Sequence, residues 1–488
     1  MTHRLTPIVA ALGLCGLFGQ TALADQSADR MADLNKVLVT NADIAHAVYA
    51  DAVDTAEDLQ AAIDRLIESP TQANLDAARA AWLVAREPYG QSEVYRFRGT
   101  PIDDDPTTKA AEDGPEGAIN AWPLGEALID YVETGGDFTQ AEVGVTEHQT
   151  GVDKPIPPHN LIAATDIPIE PALLDKTVTA EDERDVLAGY HAVEFLLWGQ
   201  DLNDERGVTH RDDRSKAVKT HGAPNIATAG QRPVTDFDPA NCSSGKAAAE
   251  AVICERRGAY LQLVTDRLVS DLASVRDQWA PETEGNYYAR FTQPADINEA
   301  RQRLLEILTG MGTLSEGELA GERMQIALSV NSQEDEHSCF SDNTHRDIWL
   351  DAEGIANSYH GEYAGYDSDL DGKDDATGRA VSGYGIDEYL RDHGHADVAD
   401  SVDQALERTE SGYQAIDRLA REGQPFDVLI EDIGAERAQP VKETILSLNA
   451  QAGQIATIAS ALDLGSTEQV VDPEASACDT TNPVTACE

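Results

Sequence analysis

The chain has 488 residues, of which 88 are acidic and 36 are basic, so its formal net charge at pH 7 is −52. A negative field of this size repels nucleic acids and anionic lipid surfaces, and it therefore excludes both as partners. The acidic residues are spread along the whole chain. Because acidic residues are so frequent, an acidic cluster indicates a binding site only where it is denser than the average of the chain.

The first 24 residues have the pattern of a secretory signal peptide. His3 and Arg4 give a short basic start, residues 5–19 form an apolar core, and residues 22–24 are a small-residue cleavage site. This apolar core is too short to span a membrane, and no later segment is apolar and long enough to do so. We therefore expect a signal peptide over residues 1–24, and a protein secreted across the inner membrane to the periplasm or cell envelope.

Helical periodicity dominates the rest of the sequence, and the period-two alternation of strands is scarce. Long helices are predicted over residues 26–68, 246–279, 295–329, 386–422 and 441–464. Another helix is predicted to begin at the capping residues 69–72 and to carry Arg86, Glu93 and Arg96 toward its end. This pattern predicts an all-α protein made of two helical bundles with long loop insertions.

The predicted domain boundary lies in residues 280–293, where Pro281 and Gly285 interrupt the helical pattern. An N-terminal helical domain is predicted over residues 25–280. A C-terminal helical bundle is predicted over residues 281–465, followed by a polar tail over residues 466–488.

The most informative pattern lies in the run GYHAVEFLLWG, where His191 and Glu194 interrupt an apolar helix. This helix is predicted to begin at a capping box formed by Thr179 and Asp182 and to end at Gly199. Positions i and i+3 share one helix face, so the imidazole and the carboxylate can point to one target. Because a buried carboxylate needs a partner, the pair indicates either a metal site or a hydrogen-bonded core pair.

Zinc peptidase motifs are incomplete in this chain. The inverted zinc-peptidase pattern requires a second histidine directly after the glutamate, where Phe195 stands, and no HExxH motif occurs. Zinc needs three or four protein ligands, so any further ligands must come from elsewhere in the fold.

The motif GxHxxE, formed by Gly189, His191 and Glu194, resembles the imelysin family, also called peptidase family M75, and its iron-regulated protein A branch. Other stretches that resemble this family are REPY at 86–89, WP at 122–123, GQRP at 230–233, GERM at 321–324 and QEDEHSCFSDNTH at 333–345. The resemblance implies two helical-bundle domains with the GxHxxE region near their interface.

A second stretch concentrates residue types that bind metals. Its candidate ligands are Glu334, Glu336, His337, Asp342 and His345. Imidazole with carboxylate suits iron, zinc or manganese, although a solvated acidic loop is the alternative in so acidic a protein. Charged residues that could orient the ligands or balance their charge are Arg86, Glu93, Arg96, Asp103 and Arg323. The alternative for Glu93 and Arg96 is an ordinary ion pair on a helix surface.

A third acidic stretch resembles the first half of a calcium-binding loop. Its candidate ligands are Asp367, Asp369, Asp371 and Asp375, with Gly372 at the sharp turn. The twelfth position is Gly378, where a bidentate glutamate is expected. This predicts a partial calcium site, and the alternative is a disordered acidic turn.

Five cysteines remain after Cys15 leaves with the signal peptide, and they enter an oxidising compartment. The predicted disulfides are Cys242 with Cys254 and Cys478 with Cys487. Each closes a small loop and contributes about 2 to 3 kcal/mol on the chain-entropy model. Cys339 is then left over, either as a buried thiol or as a reactive or ligating one beside His337.

The sequence supports three hypotheses about function. The first is a cell-envelope protein that binds a metal ion, iron before zinc, through His191 and Glu194, and that works with iron-uptake components of the envelope. The second is an M75 metallopeptidase, in which the metal activates water and a nearby glutamate acts as base. The third is a structural or docking protein without metal. Phosphate-binding loops, dinucleotide fingerprints, serine nucleophile elbows and CxxCH haem motifs do not occur in the sequence.

Overall fold

The computed structural model describes residues 15–105, 108, 113–122, 124–132, 160–174, 186–201, 229–245, 247–330, 335–465, 469–471 and 476–487. The α-helices of this part are α1 (Cys15–Glu68), α2 (Gln72–Gly90), α3 (Glu116–Ile119), α4 (Glu126–Ile129), α5 (Pro171–Leu174), α6 (Gly189–Trp198), α7 (Ala251–Gln278), α8 (Tyr287–Phe291), α9 (Ile297–Thr313), α10 (Ile326–Val330), α11 (Thr344–His360), α12 (Ile386–Asp392), α13 (Ala396–Arg421), α14 (Phe426–Ile430) and α15 (Gln439–Ala461). The prediction of an all-α protein is confirmed.

The remaining elements are short. Strands β1 (Ser243–Ser244) and β2 (Ala247–Ala248) form one antiparallel pair, and β3 (Glu362–Tyr366) and β4 (Asp375–Ser382) form another. A π-helical segment (Leu314–Gln325) joins α9 to α10, and 3-10 turns occupy Glu93–Tyr95, Val234–Phe237, Pro239–Asn241 and Glu436–Ala438. Neither the β3–β4 hairpin nor α11 was predicted from the sequence.

Helix α2 differs from its prediction at both ends, since the prediction placed Pro70 at the first helical position and Arg96 toward the end. It begins after Thr71, whose hydroxyl accepts a hydrogen bond from the Asn74 N–H at 3.3 Å, so Thr71 is the N-cap. It ends at Gly90. Glu93 therefore lies in the following 3-10 turn and Arg96 just beyond it, not on the helix as predicted. This turn redirects both side chains toward the second half of the chain.

Helix α11 packs against both α2 and α13, so it connects the two halves of the described chain. Glycines allow its close approach to α2. A Cβ atom at Gly90 would lie 2.6 Å from the Leu350 Cβ, and one at Gly354 would lie 2.4 Å from the Gln91 carbonyl oxygen. Side chains at the end of α2 and the start of α11 are thereby brought together.

One contiguous cluster of buried apolar residues runs through the described chain, from Leu34 on α1 to Val470. The predicted boundary region, residues 280–293, contains α8, and the division into two domains there remains a prediction. Within the described residues, no helix has an apolar stretch long enough to cross a bilayer. Residues 1–14 of the predicted signal peptide lie outside the described part.

Two disulfides join the cysteine pairs named above. Cys242 and Cys254 have Cα atoms 5.8 Å apart, and Cys478 and Cys487 have Cα atoms 4.3 Å apart. Cys339 is buried and takes part in neither disulfide.

Candidate metal centre

Helix α6 carries His191 and Glu194, and every residue of this helix is buried. It begins at Gly189, later than the predicted capping box, and part of the predicted stretch before it lies outside the described residues. Gly189 has a φ of 87°, and a Cβ there would lie 2.5 Å from the Ile119 carbonyl oxygen. The glycine of the motif therefore allows α6 to start against the end of α3.

Glu194 holds His191 in place. The His191 Nδ1 lies 2.9 Å from the Glu194 Oε2, and the other carboxylate oxygen accepts hydrogen bonds from the Ser341 N–H at 2.9 Å and the Ser341 hydroxyl at 2.7 Å. Burial raises the pKa of Glu194 well above its usual range, although the hydrogen bonds from Ser341 act against this rise.

The imidazole of His191 is neutral at pH 7. Burial, followed by the nearby His337, lowers the pKa of His191 well below its usual value. Its Nε2 atom is buried and has no hydrogen-bond partner among the described residues. One ring nitrogen is therefore fixed by a carboxyl group while the other keeps an unused position, as in histidines that bind metals.

His337 approaches His191 from the second half of the chain. The two ring centroids lie 4.6 Å apart, edge to face. The His337 Nδ1 lies 2.8 Å from the Asp347 Oδ2, and an Arg323 N–H lies 2.8 Å from the His337 Nε2. Burial, followed by the positive charge of Arg323, lowers the pKa of His337 to about 4. This ring is therefore neutral at pH 7, donates to Asp347 and accepts from Arg323.

Asp347 is the anionic centre of this network, and it lies on α11, fully buried. Its carboxylate accepts hydrogen bonds from the Arg86 Nε at 3.1 Å, from the Asn343 side chain at 3.2 Å and from the Ser338 hydroxyl. Burial opposes its ionisation, but Arg86 and His337 outweigh burial and hold the pKa of Asp347 well below its usual range.

Arg323 connects His337 to a group of acids. Its guanidinium lies 2.9 Å from the Glu93 carboxylate, 2.8 Å from that of Glu318 and 3.4 Å from that of Asp351. Burial opposes the ionisation of Glu93, but Arg96 and Arg323 outweigh it and hold the pKa of Glu93 at about 2.

Most residues predicted to orient the ligands therefore meet in one buried network. Arg96 pairs with Glu93 at 2.9 Å, which is an ion pair with a buried carboxylate and not the helix-surface pair of the alternative. Asp103 is partly buried. Burial raises its pKa to about 7, against the opposing charge of Arg96.

The other predicted ligands lie elsewhere. Asp342 lies with Asp201 and Asp427 in a separate group of carboxylates. Glu336 is fully buried, and burial, followed by the charges of Asp427, Asp342 and Asp201, raises its pKa well above the usual range. The His345 Nε2 lies 3.7 Å from an Asp417 carboxylate oxygen. Glu334 lies outside the described residues. The candidate ligands that lie close together in the sequence therefore do not form one site in the fold.

The predicted calcium loop is the turn of the β3–β4 hairpin. Asp367, Asp369 and Asp375 each offer an oxygen within 4.8 Å of the others, and Asp367 is the buried one. Asp367 accepts hydrogen bonds from the backbone N–H groups of Asp371 and Gly372. These bonds account for the shape of the turn without a cation, and calcium binding here remains a prediction.

Several residues of the network were not predicted from the sequence. They are Ser338, Ser341, Asp347 and Asp351. Two of them lie on α11, and recognising this helix from its apolar spacing after residue 344 would have placed both on one face. Against a background of 88 acidic residues, no local signal distinguished the two aspartates.

Two side chains of this centre have the chemistry to hold a metal ion, and one rearrangement would free both of them. His191 offers an unused buried ring nitrogen, and the His337 ring beside it has its Nδ1 fixed by Asp347, which leaves Nε2 as the other donor. Arg323 now occupies that second donor, so its N–H would have to leave His337. Glu93, Glu318 and Asp351 could still hold the displaced guanidinium. Two imidazoles beside carboxylates suit iron, zinc or manganese.

The pH dependence of the unfolding free energy tests whether the His345 imidazole is buried. Burial lowers its pKa to about 4, so between pH 6.5 and pH 4 the unfolded chain binds a proton that the folded chain does not. Stability is therefore lost as pH falls through this window. Relative to His345→Gln, the wild-type unfolding free energy should fall by about 2 kcal/mol between pH 7.5 and pH 5, as measured by urea unfolding at both pH values.

His360 is the matched control for this experiment. Its pKa is raised, first by the hydrogen bond with Asp387, so its stabilising effect is present at low pH and is lost as pH rises through that raised value. His360→Gln should therefore change the pH dependence in the opposite direction. Equal pH slopes in wild type and His345→Gln would show that His345 is not buried as described.

Comparisons with known proteins agree with the motifs. The family model described as imelysin, Peptidase_M75, matches residues 45–455. Iron-regulated protein A of Synechococcus elongatus (strain ATCC 33912 / PCC 7942 / FACHB-805) is 34% identical over 76 residues, which are 16% of this chain and 18% of that protein. The chain thus spans less than a fifth of the length of this curated relative.

A solved structure extends the comparison to the fold. The crystal structure of a protein described as an iron-regulated protein A precursor from Parabacteroides distasonis ATCC 8503 matches with a TM-score of 0.54. The match covers 88% of this chain and 95% of that chain at 15% identity. At this identity the likeness concerns the fold alone.

Proposed function

Because this chain belongs to the imelysin family, as its motifs predicted, we propose that it is a secreted cell-envelope protein that binds a metal ion, iron before zinc, in iron uptake. The iron-regulated names of its relatives support iron as the metal. The proposed partners are the metal or a metal complex and iron-uptake components of the envelope.

A single observation supports the proposal most strongly. The Nε2 of His191 is buried and lacks a hydrogen-bond partner among the described residues, whereas the Nδ1 of the same ring is held by Glu194. Leaving a buried polar atom unpaired is costly, so its retention needs a reason. A ligand that this nitrogen binds provides one.

Each of these residues has a defined role in the proposed metal site. His191 and His337 would hold the ion, and the ion would supply a positive charge that the surrounding acids balance. Ser341 holds Glu194, and Glu194 fixes the ring of His191. Arg86 holds Asp347, and Asp347 fixes the ring of His337. Carboxyl groups that orient histidine ligands in this way are common around metals.

Metal analysis of purified protein tests this function. Wild type and His191→Ala are purified without added metal, exposed to iron or zinc, dialysed and analysed for bound metal and melting temperature. Wild type should hold about one ion per chain at this centre, and His191→Ala should lose most of it. Its melting temperature should change little, because Ser341 still donates two hydrogen bonds to the Glu194 Oε1.

His345→Ala is the matched control, since it truncates another largely buried imidazole three residues from Asp342. It should keep the metal. Equal metal content in wild type and His191→Ala would overturn the proposal. Absence of metal from both proteins, with a lower melting temperature in His191→Ala, would instead support the structural core pair.

A further inference from the structure

A cavity of about 500 Å³ lies between α1, α9, α12 and the end of α15, and its lining shares no residue with the two-histidine centre. The polar residues of its lining are Arg30, Arg301, Tyr389, His393, His395 and Asp463. We call this cavity the arginine pocket, and its volume is that of sites that bind small molecules.

The charge of the arginine pocket is opposite to that of the chain. The whole sequence has 88 acidic and 36 basic residues. The lining, in contrast, has two arginines and one acidic residue, Asp463, which is exposed. Chain composition alone predicts an acidic lining, so the observed one needs another reason. A positively charged lining favours an anionic ligand.

Arg301 is fixed in the pocket by neutral groups. Its Nη2 donates hydrogen bonds to the Leu462 carbonyl at 2.9 Å and to the Asp463 carbonyl at 2.6 Å. Both carbonyls directly follow the last residue of α15. Because neither oxygen carries a full charge, these bonds hold the guanidinium in place without balancing its positive charge. The fixed charge is therefore available to a ligand.

Tyr389 is the aromatic wall of the arginine pocket. Its side chain is 7% exposed, and its ring stacks on that of His393 with the centroids 4.2 Å apart. Burial raises the pKa of Tyr389, and the charges of Arg30 and Arg301 oppose this rise, in agreement with their common place in the lining. The pocket thus combines two guanidinium groups with an aromatic ring.

Apolar side chains complete the lining. Leu34 and Leu304 are each 1% exposed, and Ile297 and Leu464 lie beside them. An inorganic anion gains nothing from such walls, whereas an apolar body that covers them is removed from water. The planar fork of arginine binds carboxylate and phosphate oxygens in pairs. The lining therefore suits an anionic group that is attached to an apolar body.

We propose that the arginine pocket binds one small organic anion. Its carboxylate or phosphate oxygens contact Arg301 and Arg30, and its apolar body packs against Tyr389 and Leu304. Arg30 follows the predicted cleavage site at residue 24, so the secreted chain retains it. The net charge of −52 does not prevent binding, because at about 0.15 M salt the Debye length is about 8 Å and more distant exposed acids are largely screened. The inference does not depend on a metal bound at His191.

Two fluorescent probes that differ in charge test the pocket. Anilinonaphthalenesulfonate is an aromatic anion whose sulfonate stands in for the carboxylate or phosphate, and phenylnaphthylamine has the same aromatic body without the charge. At about 0.15 M salt, the purified chain should bind one sulfonate probe at least about tenfold more tightly than the neutral probe. Fluorescence titration measures both affinities.

Substitution of the arginines assigns the binding to this pocket. Arg301→Met should weaken sulfonate binding by about tenfold and Arg30→Met by about threefold, because Arg30 is exposed and its charge is better screened. Neither substitution should weaken binding of the neutral probe. Arg301→Met also removes the hydrogen bonds to the end of α15. If it does not fold, as its melting curve will show, Arg30→Met decides the test.

Arg276→Met is the matched control, since it removes the same side chain from an ion pair with Asp277 within α7. It should leave both affinities unchanged. The proposal fails if wild type does not bind the sulfonate probe, if the neutral probe binds as tightly, or if neither Arg301→Met nor Arg30→Met weakens binding. Equal weakening in Arg276→Met would also overturn it.

Competition identifies the anionic group of the ligand. Displacement of the sulfonate probe by octanoate assigns an organic carboxylate, and displacement by phenyl phosphate assigns an organic phosphate. Either result supports the proposal. Displacement by inorganic phosphate at the same concentration would show that the apolar walls contribute nothing, and it would overturn the proposal. Failure of both octanoate and phenyl phosphate to displace the probe would overturn it as well.

Discussion

Replacing Asp347 by alanine is expected to lower the free energy of unfolding by about 3–5 kcal/mol, the usual cost of breaking a buried ion pair from one side. The substitution leaves Arg86 without its buried counter-charge and removes the acceptor of the His337 Nδ1. The hydroxyl of Ser338 and the amide of Asn343 lose an acceptor at the same time. Guanidinium unfolding of the two proteins measures the difference.

Asp266 offers a matched control on the surface of α7. Its carboxylate accepts a hydrogen bond from the Gln60 side chain at 2.7 Å in an exposed pair. Asp266→Ala removes the same number of atoms and the same charge as Asp347→Ala, and it should change the stability by less than about 1 kcal/mol. Similar losses in both variants would mean that Asp347 is not the buried anion that joins Arg86 to His337.

Replacing Arg323 by methionine is expected to lower the stability of the metal-free protein by about 3 kcal/mol. The reason is that Asp351, whose oxygens have no hydrogen-bond partner among the described residues, loses its ion pair with Arg323. The cost stays at the lower end of the range for buried ion pairs, because Arg96 still balances Glu93.

The same variant should bind the metal at least about tenfold more tightly, because it removes one positive charge and releases the Nε2 of His337. Competition with a chelator of known affinity measures the change. Arg267→Met, which breaks an ion pair with Asp271 within α7, alters the net charge equally and should leave affinity unchanged. Unchanged or weaker binding in Arg323→Met would place the ion elsewhere.

The all-α architecture was predictable because its signals are local. Helical periodicity over residues 26–68 and 441–464 indicated α1 and α15 without knowledge of any neighbour. The motif GxHxxE was predictable for the same reason, since spacing on one helix alone brings His191 and Glu194 within hydrogen-bond distance.

The limits of local reasoning appear at the end of α2. Apolar spacing suggested that this helix continues through Glu93 and Arg96, but the chain turns after Gly90, where α11 packs too closely for a side chain. A tertiary contact therefore decided where the helix ends. The turn directs Glu93 toward Arg323, a residue 230 positions away.

Chain composition and short-range spacing determined on their own that this protein is acidic, helical and equipped with a histidine and a glutamate on one helix face. The tertiary structure alone decided the partners of these residues. It placed His337 beside His191, and it placed His345 and Asp342 with other partners although all four residues have metal-ligand chemistry. The physical reason is that a buried charge or imidazole is defined by what surrounds it, and those surroundings come from segments more than a hundred residues apart.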